Sequence, residues 1–182
     1  MADTSLIDTS GGGFGISVLH VPTAWLNDDE MRAWRSYVET TIDLNNAIER
    51  DLAEHGLTLG DYQVLVYLSE APERQMKMRD LAELLQLSPS GLTRRLDGLV
   101  SSGHVERRTS AADGRVMMAV LTDSGLEHLG HTAPHHVASV RQHLIDRLDP
   151  TLVTAMGDIF EAVADGLSAA ASDERSAAVT PS

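Results

Sequence analysis

The chain has 182 residues, 42% of them hydrophobic, which suits one compact domain with helices to spare for pairing with a second copy. It has no cysteine, so disulfides, thiolate metal sites and a thiol redox switch are excluded. A formal net charge of −13 argues against a polyanionic partner unless the basic residues are gathered in one place. They are gathered: residues 74–115 hold eight of the 14 Lys+Arg and five of the 27 Asp+Glu, which leaves six basic against 22 acidic residues elsewhere. Screening limits each charge to about 8 Å in physiological salt, so a local positive surface can act on an otherwise acidic body.

In chain order, residues 1–24 read as a flexible arm, with Gly11–Gly13 among scattered Ser, Thr and Asp. Asn27 and Glu30 have capping-box spacing and open a helix. Met31, Trp34, Val38, Ile42, Leu44, Ile48 and Leu52 recur along it at helical spacing, and Gly56 stops it. Thr58 caps a second helix with Leu59, Tyr62, Leu65, Val66 and Leu68 inward, ended before Pro72. Met78–Leu85 is a short third helix. Ser88 caps a fourth, with Pro89 at its first position, an apolar line of Leu92, Leu96, Leu99 and Val100, and Gly103 at its end. Two β-leaning runs follow, HVERRT and RVMMAVLT, joined by SAADG with the hairpin signal Asp113-Gly114. Thr122 caps a helix that runs past Pro134, with a bend expected there. Asp149-Pro150 opens the last helix, with Leu152, Val153, Met156, Ile159, Phe160, Val163 and Leu167 apolar. Residues 169–182 read as a flexible tail.

Two short helices joined by a tight link and followed by a β-hairpin make a winged helix-turn-helix, here spanning 57–121, in a mainly α fold. Residues 25–56 and 122–168 carry more apolar surface than that unit can cover, so they are expected to form a dimerisation region. The fourth helix shows Ser90, Thr93, Arg94 and Asp97 on its polar side, mostly near its N-terminus. A DNA-reading helix needs this arrangement, because its early residues enter the major groove and its dipole end faces phosphate. Arg pairs with guanine, and Ser and Thr reach bases or phosphates. In the hairpin, Arg107, Arg108 and Arg115 stand on the strands. A terminal arginine suits the negative potential of a minor groove, and Asp113 is expected to orient an arginine through a local ion pair.

On the residues LTLGDYQVLVYLSEAP, MRDLAELLQLSPSGLTRRLDGLVSSGHVERR, the wing pattern Asp113-Gly114-Arg115 and VLTDSG, the run from Trp34 to Leu167 resembles the multiple-antibiotic-resistance regulator (MarR) family of bacterial transcription factors. The resemblance implies a homodimer built from the N- and C-terminal helices, a pseudo-palindromic double-stranded DNA operator, and repression released by a small molecule. It implies that Ser90, Thr93 and Arg94 face bases, that Ser88 and Arg95 touch phosphate, and that Arg115 is the wing-tip arginine. The arm at 1–24 has no counterpart in the shortest members.

For an effector, Trp34, Arg35 and Tyr37 on the first helix, with Asp61 and Tyr62 on the second, offer aromatic faces beside an arginine, which suits a phenolic or aromatic carboxylate ligand. The alternative is that the aromatic stripe is packing. His128, His131 and His135 are weak zinc candidates, since their spacing puts neighbours on one helix face; exposed or interface histidines are the plainer reading. No P-loop, GxSxG, HExxH or glycine-rich nucleotide fingerprint is found, so no enzyme and no cofactor are expected. The rival function is a winged-helix protein-interaction module without an operator, favoured by the acidic surplus. With no basic start leading into an apolar core and no spanning apolar run, a cytoplasmic protein without a membrane partner is expected.

Overall fold

The computed structural model describes residues 24–178, with side chains described to residue 170. The expected arm, but for Ala24, and the last four residues of the expected tail lie outside the described residues. The elements are α1 (Asp28–Ala53), α2 (Leu59–Glu70), β1 (Gln75–Lys77), α3 (Met78–Leu84), α4 (Pro89–Ser101), β2 (Val105–Thr109), β3 (Met117–Leu121), α5 (Asp123–His143) and α6 (Pro150–Ala178). The chain divides within α1 into two compact units, one ending at Tyr37 and one beginning at Val38.

In the first unit the capping box forms as the spacing predicts. The Glu30 amide donates to Asn27 Oδ1 at 2.9 Å, and the Asn27 amide donates to Glu30 Oε2 at 2.8 Å. Asp28, Asp29 and Glu30 put negative charge on the positive end of the helix dipole. Trp34 and Tyr37 stand three residues apart with ring centroids at 6.0 Å.

In the second unit one apolar core joins every element up to α5. Ile48 and Leu52 come from α1, Tyr62, Val64, Leu65 and Leu68 from α2, Leu81 from α3, and Leu92, Leu96 and Leu99 from α4. Val105, Ala119 and Leu121 enter from the strands and Leu129 from α5. The 3.6-residue period puts Leu92, Leu96 and Leu99 on one side of α4 and leaves Ser90, Thr93, Arg94 and Asp97 exposed. Each fully buried leucine is worth roughly 1.5–3 kcal/mol, so these three fix the roll of α4 about its axis. Gly103, at φ 76°, lets the chain turn left-handed after α4, and the His104 amide returns to the Leu99 carbonyl at 2.9 Å.

The hairpin of the sequence reading is one edge of a three-stranded antiparallel sheet, in the order β1-β3-β2. The added strand is three residues long and half polar, too short to show a period; Pro72 and the left-handed Glu73 and Arg74 turn the chain into it. Across the sheet Met76, Ala119 and Arg107 share one row, and Lys77, Met118 and Arg108 the next. Strand alternation then sends Arg107 to the core side with the fully buried Ala119, and Arg108 to solvent.

α5 is continuous through Pro134. α6 runs on to Ala178, into residues 169–178 that read as tail; alanine, poor in apolar surface but the best helix former, explains the difference. α5 docks largely through histidines. His128 stacks on His104 at 4.5 Å and 7°, His135 lies 4.4 Å from His55, and His136 lies 4.2 Å from the Tyr62 ring. Farther along, Ser139 donates to Asp51 Oδ2 at 2.5 Å, and His143 Nε2 sits 2.9 Å from the same oxygen.

This docking makes the fold sensitive to mild acid. Burial pushes the imidazoles of His104 and His136 below their ordinary range, helped at His104 by the neighbouring His128. In the unfolded chain such rings take up protons near pH 6.5. Stability is therefore full above about pH 6.5 and declines as pH falls from there toward the lower folded pKa values, because the unfolded state binds protons first. The Ser139 hydrogen bond and His143 hold the Asp51 carboxyl below its usual range, so its contribution is lost only in stronger acid. Urea unfolding should show a lower midpoint at pH 5.5 than at pH 7.5, with a smaller difference in a His104→Asn/His136→Phe double variant. An equal difference in that variant would place the sensitivity elsewhere.

Candidate nucleic-acid interface

The start of α4 is built by its cap. Ser88 Oγ accepts the Gly91 amide at 3.1 Å, Pro89 supplies a first position that needs no donor, and Ser90 Oγ lies 3.2 Å from Ser88 Oγ. Thr93 Oγ1 donates back to the Pro89 carbonyl at 3.0 Å. Both serines and Thr93 are exposed, and their hydroxyl lone pairs are not exhausted by these bonds.

The arginines of this surface divide into two groups. Arg107 reaches from β2 to the middle of α4, where Nη2 donates to the Thr93 carbonyl at 2.7 Å and to Asp97 Oδ1 at 2.8 Å. Its Nε is buried without a partner, and its side chain is 28% exposed. Arg95 reaches from the opposite side of α4 to the start of α2. Its Nη1 donates to Thr58 Oγ1 at 2.9 Å and lies 3.7 Å from Asp61 Oδ1. A Cβ on Gly60 would stand 2.6 Å from Arg95 Cζ, so the guanidinium lies flat on bare backbone that only glycine offers. Thr58 and Asp61 form the capping box of α2, and Glu49 of α1 accepts the Leu59 amide at 2.7 Å. Arg108 is satisfied within its own strand, by Glu106 at 2.7 Å from Nε.

Arg94 and Arg115 form the other group. Both are exposed, and neither side chain makes a hydrogen bond or ion pair among the described residues. Asp113 does not form the expected ion pair with an arginine. Its Oδ1 accepts the Arg115 backbone amide at 3.0 Å, an Asx-type turn that shapes the wing tip, and the Val116 amide closes the turn on the Asp113 carbonyl at 3.0 Å. An aspartate two residues before an amide favours this local bond over a guanidinium that solvent competes for.

The effector candidates fall in different units of the chain. Trp34, Arg35 and Tyr37 are exposed residues of the first unit, with Trp34 and Tyr37 paired as above. Asp61 serves the α2 cap and Arg95, and Tyr62 is buried in the core against His136, where burial pushes its phenol upward. The weak zinc candidates separate as well. His128 stacks on His104, His135 lies on His55, and His131 faces Glu127 at 3.8 Å. Among the described residues no group of three or more His, Asp or Glu could hold a metal ion. The sequence reading missed Gly60 as part of the Arg95 seat, and Glu49 as a partner of the Leu59 amide, because these partners come from other helices; the Thr58–Asp61 spacing was the local signal available.

A family model described as MarR family matches residues 55–116, from the end of α1 to the wing. AbsC, a MarR family transcriptional regulator from Streptomyces coelicolor, is 40% identical, with 81% of this chain and 99% of that chain covered at a TM-score of 0.76. Sco3205, a MarR family regulator from the same organism solved in complex with DNA, is 38% identical, with 79% and 94% covered at a TM-score of 0.74. The HTH-type transcriptional repressor YetL of Bacillus subtilis is 29% identical over 121 residues, 65% of this chain and 72% of that protein. The helix order, the three-stranded wing and identity of this level across the whole of a solved member lead to one conclusion: the chain belongs to the MarR family and is a winged-helix transcriptional regulator.

Proposed function

We propose that this regulator is a homodimeric repressor that grips a pseudo-palindromic operator through α4 and the wing and releases it when a small aromatic ligand binds. One observation carries the reading. In a surface rich in arginine, Arg95, Arg107 and Arg108 are engaged by the protein's own groups, while Arg94 on α4 and Arg115 on the wing have no side-chain partner among the described residues. Arg94, with Ser90 and Thr93, is set to read base edges in the major groove, where guanidinium pairs with guanine O6 and N7. Ser88 meets phosphate at the positive end of α4, and Arg115 enters the adjacent minor groove. Arg95 and Arg107 act as struts that hold α4 against α2 and against the sheet. Support for the DNA reading comes from Sco3205, solved with DNA, and for repression from YetL.

Dimerisation through the terminal helices, with 57–121 as the reading unit, is supported by apolar residues left in solvent. On α6, Leu152, Ile159, Phe160, Val163 and Leu167 recur at helical spacing, each at least half exposed, and Ile42 on α1 is 57% exposed. A continuous stripe of this kind marks an interaction surface. For the effector, the exposed Trp34–Tyr37 pair beside Arg35 supplies the faces and the charge that an aromatic carboxylate needs.

Three kinds of experiment test the reading. In fluorescence anisotropy with the DNA upstream of its own gene and a scrambled duplex, Arg94→Ala should cost about 1–3 kcal/mol on the preferred duplex and relax its preference. Arg107→Ala should also lose preference, but with an unchanged slope of log affinity against log salt, since a strut releases no counterions. A shallower slope for Arg107→Ala would make it a phosphate contact instead. Light scattering should give twice the 19.6 kDa subunit mass at micromolar concentration. An Ile159→Glu/Val163→Glu variant should give the single mass, and a wild type of single mass contradicts the dimer. A hydroxybenzoate should quench tryptophan fluorescence and lower DNA affinity, and both effects should vanish in Trp34→Phe; release that persists there would move the ligand elsewhere.

A further inference from the structure

Beside the wing, the corner where β1 passes into α3 forms an open cleft of about 380 Å³, lined by Lys77, Met78, Arg79, Arg115, Val116 and Met117. Lys77 is the only lysine in the chain; the other 13 basic residues are arginines. The sheet register holds its backbone opposite Met118, so the ammonium stands on a fixed strand and not on a loose loop. Its side chain is exposed and makes no hydrogen bond or ion pair among the described residues. The same is true of Arg115 on the other wall. Asp80 and Glu83 lie 3.7 and 3.5 Å from Arg79 Nε on partly exposed side chains, and Asp113 spends one carboxylate oxygen on the Arg115 backbone amide. Pairs of this kind contribute little and yield readily to a stronger anion. Three cations therefore converge on an apolar floor of Met78, Val116 and Met117, in a protein of net charge −13.

We propose that this cleft is a second cationic seat, in which Lys77 and Arg79 hold a backbone phosphate of the bound DNA while Arg115, on the opposite wall, is left to the adjacent minor groove. The occupant follows from the chemistry. The walls supply charge and almost no acceptor, so they select an oxyanion and cannot tell one base from another. Arg115 ties the cleft to the wing, which puts the same DNA strand within reach. The ammonium of Lys77 meets a phosphate as a point charge, and the guanidinium of Arg79 can fork onto its oxygens. Lys77 and Arg79 then strengthen and register the complex while carrying no sequence information. The seat rests on the proposed DNA binding, yet it can fail separately from operator recognition.

The test uses the full chain, with Lys77→Gln, Arg79→Gln and the double variant, on the preferred and the scrambled duplex across a salt series. Each lost phosphate contact should make the slope of log affinity against log salt shallower by about 0.9, equally on both duplexes and with their affinity ratio unchanged. An unchanged slope in the double variant overturns the proposal, as does a changed ratio. If the wild type shows no sequence preference, the operator reading fails, while the slope on the scrambled duplex still decides the seat. A second readout exploits the lone lysine: an amine-acetylating reagent has one side-chain target, countable by mass spectrometry. DNA should protect Lys77 from it. Inorganic phosphate at equal ionic strength should not; protection by phosphate as strong as by DNA would make this a free-anion site and overturn the assignment.

Discussion

The grip of Arg107 on α4 is the constraint on which the candidate surface depends. One guanidinium nitrogen bonds both the Thr93 carbonyl and the Asp97 carboxylate, and so joins the middle of the helix to the sheet. Leucines on the far side fix how the helix rolls, but apolar packing alone allows sliding along the axis. A directional bond to a main-chain oxygen removes that freedom. Arg95 does the same on the other flank through Thr58, where Gly60 lets the guanidinium lie against the backbone of α2. Held from two sides, the backbone of α4 is fixed at folding, and its exposed side chains project from a set position.

The same division explains how an acidic protein can meet a polyanion. Arg95, Arg107 and Arg108 each stand against one of the protein's own carboxylates, which leaves few basic side chains near α4 without a counter-charge. Arg94 and Arg115 are the chief of these, and the cleft at Lys77 extends the set. Acidic residues elsewhere repel nucleic acid presented in any other orientation. Localised charge on a repelling body favours one pose over many, which serves selectivity more than affinity.

Much of the fold was legible in the sequence. The caps at Asn27, Thr58, Ser88 and Thr122 and the glycine stops at Gly56 and Gly103 are local chemistry, and all were read correctly. What escaped was either short or non-local. β1 has three residues and no period, so only its pairing with β3 reveals it. The helical end of α6 was hidden by a composition poor in apolar residues, where alanine decides conformation without supplying a core. At the candidate site, the sequence gathered the arginines into one segment but could not sort them into paired and unpaired ones. Which guanidinium points inward follows from strand alternation relative to Ala119, and which is paired follows from contacts such as that of Arg95 with Thr58, 37 residues away. Asp113 was correctly placed at the wing tip, yet its bond goes to an amide two residues on and not to a guanidinium.

One detail of the Arg107 grip has an evolutionary reach. The atom it holds on residue 93 is the carbonyl oxygen, a feature every amino acid shares, and the side chains at 90 and 94 take no part in either strut. Under the proposed reading, substitutions at these three positions therefore rewrite the sequence address of the helix while its mounting stays intact. Duplicated copies of such a gene could diverge toward new targets one side chain at a time, without passing through an unfolded intermediate.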